Sequence, residues 1–182
     1  DEMKIAAAFV FLMPSVPFLY YGDEIGLPYA EGLTSKEGGY FRTGSRTPMQ
    51  WSGGKNRGFS ETDGKLYLPV DSSPESPDVE RQQKDEHSLL NTVKAVVRLR
   101  KENEDLQAVN NLELVYAEEN AYPFVFRRGK FLVAVNPRAE SAEAPVSADN
   151  YKEVFRVNGG AEISEGKLKI DGLSLVVFRK EE

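Results

Sequence analysis

The feature that most constrains this chain is the run Phe18-Leu-Tyr-Tyr21, entered through Pro17 and broken by Gly22. Uninterrupted apolar and aromatic residues over one strand length read as a strand buried on both faces. Two covered faces point to a parallel sheet. In a barrel built on such a sheet, chemistry sits in the loops just beyond the strand C-termini. Gly22-Asp-Glu-Ile-Gly26 leaves the strand at that end, which puts Asp23 and Glu24 at the expected barrel mouth.

The segments before and after this run fit the same picture. Met3 to Leu12 carries apolar side chains nearly all round the helical wheel, as expected of a helix packed between a sheet and its neighbours, and Pro14 ends it. Residues 26–87 are rich in Gly, Pro, Ser, Asp and Thr and read as a long irregular segment. Interleaved Tyr29, Tyr40, Phe41, Trp51, Phe59 and Tyr67 predict that it is ordered, because disordered tracts lack such side chains. Leu89, Leu90, Val93, Val96 and Val97 follow helical spacing within Ser88 to Glu102, with Asp85 or Ser88 as candidate caps.

Near residue 106 the period changes from helical to alternating. Strands are expected over 112–116, 122–126, 131–135, 151–155, 168–170 and 173–178, with Gly-containing turns between several of them. Short strands at this spacing imply an antiparallel β-sandwich over 106–182. Tyr122, Phe124 and Phe126 alternate and share one face, which a starch-binding platform would expose and a sandwich core would bury. The core reading is favoured, since each strand of a two-sheet sandwich needs one large apolar face.

Composition excludes several classes. With 23 basic against 29 acidic residues and a net charge of -6, no basic tract offers a nucleic-acid surface. Cysteine is absent, so there is no disulfide framework and no thiolate metal site, and the redox compartment stays open. Acidic residues are scattered without EF-hand or His-carboxylate spacing, and no phosphate-cradling glycine loop opens a helix; neither a metal nor a cofactor is expected. The longest apolar run, Ile5 to Met13, falls far short of the ~20 residues that span a bilayer, so no membrane partner is expected. His87, in a charged stretch before a helix, reads as a surface or capping residue.

Two motifs carry a resemblance. Ser15-Val-Pro-Phe-Leu-Tyr-Tyr-Gly-Asp-Glu-Ile-Gly26 resembles the last barrel strand of the α-amylase superfamily, the family 13 glycoside hydrolases, with Ser15 in the position usually held by Gly. Arg46-Thr-Pro-Met-Gln-Trp51, followed by Lys55-Asn-Arg-Gly-Phe59, resembles a block of the branch that acts on short α-glucosides: α-glucosidases, oligo-1,6-glucosidases and trehalose synthases. The resemblance implies an α+β chain: residues 1–105 as the terminal part of a β/α (TIM) barrel, then the antiparallel β-sandwich of 106–182. A whole barrel needs roughly 250 residues, so the chain is expected to begin inside a domain and to form the C-terminal part of a larger enzyme. An α-linked oligosaccharide is the partner implied for that parent.

Glycoside hydrolysis needs two carboxyl groups flanking the scissile bond, about 5–10 Å apart. Asp23 and Glu24 are neighbours leaving a strand, so they point in different directions; a structural role on backbone donors or basic side chains is the better reading. In the family the catalytic acids sit at the ends of the fourth, fifth and seventh strands, and none of those motifs occurs in this sequence. No catalytic residue is therefore assigned, and the chain is expected to be inactive alone. Arg46 and Gln50 are candidates for a sugar-binding rim, by virtue of guanidinium and amide geometry, and Trp51 for stacking on a sugar face. The alternatives are that Arg46 is a buried ion-pair partner and that Met49 and Trp51 are loop core. A carbohydrate-binding or interaction module is the competing class. The apolar sides of residues 5–21 also predict self-association.

Overall fold

A computed structural model describes residues 1–109, 111–147 and 149–181. The chain divides into two compact units, one made of residues 1–17 and 92–182 and the other of residues 18–91.

In the first unit, α1 (Glu2–Leu12) buries Ile5, Ala8, Phe11 and Leu12. Met13 then turns extended, and Pro14 supplies no N–H to prolong the helix. The last carbonyls of a helix have no partner within it. Here two buried arginines serve them. Arg100, on α3 (Leu89–Glu102), donates to the carbonyls of Phe11, Met13 and Ser15. Arg128 is fully buried and donates to the carbonyls of Leu12 and Leu106, each at 2.9 Å, and to that of Gln107. Burial and then the nearby charge of Arg100 lower the pKa of Arg128, and Asp105 opposes them. The position suits the charge, because a helix C-terminus is its negative end. Gly129 follows in a left-handed conformation, where a Cβ would lie 2.2 Å from Asp105 Cγ.

Eight strands occur among the described residues: β1 (Glu113–Tyr116), β2 (Phe124–Arg128), β3 (Phe131–Asn136), β4 (Ala142–Pro145), β5 (Tyr151–Val157), β6 (Ala161–Ser164), β7 (Lys167–Ile170) and β8 (Ser174–Lys180). They form a five-stranded sheet, ordered β1-β2-β3-β8-β5, and a three-stranded sheet, β4-β7-β6, with antiparallel pairing throughout. Val125, Leu132, Ala134, Val176 and Phe178 of the larger sheet share one core with Ala144, Val146, Leu168 and Ile170. The β6–β7 hairpin closes on Glu165-Gly166, both left-handed, the conformation whose twist matches a two-residue hairpin. The expected strands omit β4 and β6. Both are short, and both mix small or charged residues with one thin apolar face.

The opposite face of the larger sheet lies under α1. Phe9 meets Phe124 and Phe126 edge-on, with ring centroids 6.2 and 6.3 Å away, and those two rings are 5.4 Å apart. Phe124 and Phe126 of the alternating row are therefore roofed by a helix, whereas Tyr122 stays exposed, with the Arg138 guanidinium over its ring; the inter-sheet core uses the residues between, such as Val125. This corrects the expectation that the row faces a second sheet. Because β3 has a helix on one side and a sheet on the other, all six of its residues are buried.

In the second unit, the expected strand over 18–21 does not form. Phe18 is 92% exposed, and Leu19, Tyr20 and Tyr21 are about half exposed. A strand needs a neighbour for its backbone ladder, and among the described residues none pairs with this stretch. Gly22 adopts φ 94 and starts a 3₁₀ turn, Asp23–Ile25. A small core of Ile25, Met49 and Leu90, with Leu27 and Val79 against it, holds the unit. α2 (Val79–Lys84) is capped by Asp78, which accepts from the Arg81 N–H at 2.8 Å. The Gln82 side chain donates to the Ile25 carbonyl at 2.7 Å and accepts from the Leu90 N–H at 2.9 Å. Ser88 caps the first turn of α3 through the Asn91 N–H at 3.2 Å.

Candidate functional site

The second unit contains a cavity of 410 Å³ whose walls include Tyr21, Glu24, Arg46, Trp51, Phe59 and Tyr67. Each wall is set by a local feature of the chain. The Tyr21 hydroxyl donates to the Thr47 carbonyl at 3.2 Å, tying the aromatic run to the Arg46–Trp51 block. Burial, then the neighbouring Tyr20, raise the Tyr21 pKa above that of an ordinary phenol, while Arg46 pulls it down. Pro48 and buried Met49 continue the wall, and Trp51 follows, 51% exposed. The Trp51 carbonyl accepts from the Glu80 N–H at 3.0 Å, so the start of α2 fixes the tryptophan backbone. Phe59 and Tyr67 are 49% and 61% exposed, and the Lys36 ammonium sits 5.3 Å from the Tyr67 ring centroid.

Of the residues singled out in the sequence, Glu24, Arg46 and Trp51 come together at this cavity. Arg46 is exposed there, so it is not a buried ion-pair partner. Gln50 does not join them. It is fully buried, and its Nε2 donates to Ser76 Oγ at 2.6 Å and to the Pro77 carbonyl at 2.7 Å. A carbonyl only accepts, so this pairing fixes the amide orientation. Its Oε1 has no hydrogen-bond partner among the described residues. Asp23 and Glu24 engage backbone donors: Asp23 accepts from the Tyr20 N–H at 3.0 Å and Glu24 from the Gly22 N–H at 2.7 Å. His87 is exposed beside Glu86. Among the described residues no group of three or more His, Cys, Asp or Glu is placed to hold a metal.

Sequence reading missed Tyr21, Phe59 and Tyr67 as cavity walls. The available signal was their interleaving with glycines in an irregular segment, where aromatic side chains have no sheet or helix to cover them. Chemically, the cavity offers flat aromatic surfaces, one guanidinium and one carboxylate that is already hydrogen-bonded. Aromatic faces suit the C–H side of a pyranose and the guanidinium suits hydroxyl oxygens. The paired carboxyls that glycosidic cleavage requires are not in this wall.

Residues 1–109 match the family described as alpha amylase, catalytic domain. The chain belongs to the α-amylase family. Among its relatives, this family member is similar to the trehalose synthase/amylase of Mycobacterium tuberculosis, with 34% identity over 106 residues, covering 56% of this chain and 17% of that protein. It is likewise 34% identical over 131 residues to a probable oligo-1,6-glucosidase of Bacillus subtilis, covering 57% of this chain and 23% of the relative. Among solved structures, the trehalulose synthase of Pseudomonas mesoacidophila superimposes with a TM-score of 0.79 at 19% identity, over 98% of this chain and 38% of the synthase. A mutant isomaltulose synthase of Erwinia rhapontici gives 0.76 at 18% identity, over 99% and 38%. These two likenesses establish the fold. This α-amylase-family chain thus spans about a fifth of the length of the curated relatives and under two fifths of the solved enzymes.

Proposed function

We propose that this chain is the C-terminal part of an α-glucoside-active, retaining α-amylase-family enzyme. In this reading residues 1–105 complete a β/α barrel, residues 106–182 form the β-sandwich that follows it, and Arg46 and Trp51 shape the rim that receives an α-linked glucoside. Asp23 and Glu24 hold the mouth-side turn in shape through their backbone hydrogen bonds. The observation that carries the reading is the 410 Å³ cavity, where Tyr21, Trp51, Phe59 and Tyr67 converge with Arg46 inside the segment that matches the family. The similarity to trehalose synthases and oligo-1,6-glucosidases supports an α-glucoside as the substrate class. Gln50 is reassigned from rim to internal brace.

The reading has a negative half. The cavity wall holds one carboxylate that is already engaged, so the isolated chain binds or frames sugar without cleaving it. Incubating the pure chain with p-nitrophenyl α-glucoside and maltooligosaccharides tests this: no release of nitrophenol or glucose is expected, and robust turnover overturns it. A second reading, a carbohydrate-binding module, is favoured by the half-exposed Trp51. Calorimetric titration with maltotriose and soluble starch separates the two. Saturable binding that disappears in Trp51→Ala supports the module, and no heat change leaves the rim as a part that works only within the parent enzyme.

A further inference from the structure

The segment behind the tryptophan is unusual in its backbone. Asn56 (φ 45, ψ 35) and Arg57 (φ 57, ψ 31) are left-handed, and Gly58 (φ 70) continues them. Glycine takes this conformation freely, whereas a side-chain-bearing residue does so at a cost, and two in succession persist only when surrounding contacts hold them. Those contacts are present. The Asn56 amide donates to the carbonyls of Ser60 and Thr62, both at 2.9 Å. Lys55 Nζ donates to the Glu61 carbonyl at 2.7 Å and pairs with Asp63 at 2.6 Å. Arg57 reaches farthest: its Nε donates to the Asp71 carbonyl at 2.9 Å, and its guanidinium also donates to the Ser73 carbonyl.

The result is felt at the cavity. The Arg57 carbonyl accepts the N–H groups of both Trp51, at 2.8 Å, and Ser52, at 3.1 Å. At Gly58 a Cβ would lie 2.6 Å from Ser52 Oγ and 3.2 Å from Trp51 Cβ, so the strap passes close to Ser52 and the tryptophan with no room for a larger residue. The next residue, Phe59, is itself a cavity wall. One left-handed strap thus sets two of the aromatic walls at once, Trp51 through its backbone N–H and Phe59 through chain continuity.

We infer that Arg57 is a positioning residue for the sugar rim: by clamping the strap Lys55–Phe59 to the 71–73 loop it fixes the distance between Trp51 and Phe59, and so selects ligands with a flat pyranose face of matching thickness. This rests on the reading of the cavity as a sugar rim. Within it, Arg57 touches no sugar and acts only through the two aromatic residues. Rigid walls bind a flat ring without first being ordered, which is the advantage of preorganisation.

The chain's single tryptophan makes the test direct, since its emission reports Trp51 alone. Arg57→Ala, Arg57→Lys and Gly58→Ala are compared with the unaltered chain by emission maximum, acrylamide quenching and fluorescence titration with maltotriose, with far-UV circular dichroism as the check on folding. Arg57→Ala is expected to redden and expose Trp51 and to weaken maltotriose binding about tenfold, Arg57→Lys to recover part of both, and Gly58→Ala to shift the emission by displacing Trp51. An unchanged emission and quenching constant in folded Arg57→Ala overturns the positioning role, as does an Arg57→Lys variant no better than Arg57→Ala. If the unaltered chain does not bind maltotriose but the emission of Arg57→Ala shifts as expected, the rim reading fails for the isolated chain while the strap's hold on Trp51 stands.

Discussion

Replacing Arg128 by methionine isolates one concentrated polar contact in the first unit. The guanidinium serves three carbonyls, those of Leu12, Leu106 and Gln107, and none of its side chain reaches solvent. A buried carbonyl left without a donor costs roughly 1–3 kcal/mol, so the two buried ones, Leu12 and Leu106, give a gross loss of about 2–6 kcal/mol, and that of the exposed Gln107 adds less. Two terms offset this: methionine no longer requires a cation to be held away from water, and its flexible thioether fills part of the vacated volume. A net destabilisation of about 3 kcal/mol follows. With a urea m-value of about 2 kcal/mol/M, the unfolding midpoint falls by roughly 1.5 M. Hydrogen exchange at the amides of β2, β3 and β8, read through the urea transition, follows this unit separately from the other. Arg128→Lys should fall between, because an ammonium has donors but no planar fork. Pairing the change with Arg100→Met adds a check of sign. The charge of Arg100 raises the cost of charging Arg128, and either single variant relieves that repulsion, so the double variant should lose more than the two single losses added. An Arg128→Met variant within about 0.5 kcal/mol of the unaltered chain would refute the assignment of these carbonyls to the guanidinium.

Gln50→Leu strips Ser76 Oγ and the Pro77 carbonyl of their buried donor and should lower stability by about 1–3 kcal/mol in thermal unfolding; Gln50→Glu should be worse, since it sets an acceptor against the Pro77 carbonyl. Burial alone would raise the pKa of Asp78, but the Arg81 N–H and guanidinium outweigh it and leave the pKa below the usual carboxylate value. A depressed folded-state pKa contributes stability that is present above the unfolded value of about 3.9 and is lost as pH falls through the folded one. Acid unfolding followed by Trp51 emission should therefore begin only below about pH 4, and Asp78→Asn should flatten that dependence while lowering stability at neutral pH. The exposed side chains of Phe18 and Leu19 should drive dimers or higher assemblies. Sedimentation at rising concentration is expected to show them and to show fewer for Phe18→Asp; a clean monomer of the unaltered chain at high concentration would contradict this.

Where the sequence was legible, local pattern and tertiary cover agreed. β3 and β8 are continuous apolar runs because their buried residues meet a helix on one side and a sheet on the other, and a run of that kind needs no knowledge of the partner to be recognised. β4 and β6 lie at the margins of the smaller sheet, with one thin buried face each, so their alternation is too shallow to stand out. Phe18 to Tyr21 has the pattern of a buried strand, but burial and pairing come from neighbours, and the described residues supply none. Arg128 belongs to an Arg-Arg-Gly turn that composition alone places in water; only the approach of α1's last carbonyls turns it inward. At the cavity, Arg46 and Trp51 were marked by a compact block. Their convergence with Tyr21, Phe59 and Tyr67 depends on backbone folding across an irregular segment that no period encodes.

The roofing of the larger sheet by α1 bears on how the chain can be cut. Excising residues 106–182 at the change of period would remove Phe9 from over Phe124 and Phe126 and withdraw the carbonyl of Leu12 from Arg128. Such an excised piece would present a greasy, half-uncovered sheet with Arg128 left one carbonyl short, and would precipitate rather than fold. A soluble miniature would need residues 1–17 grafted back through a short tether, so the two ends of the polypeptide, far apart along the sequence, behave as a single heritable block.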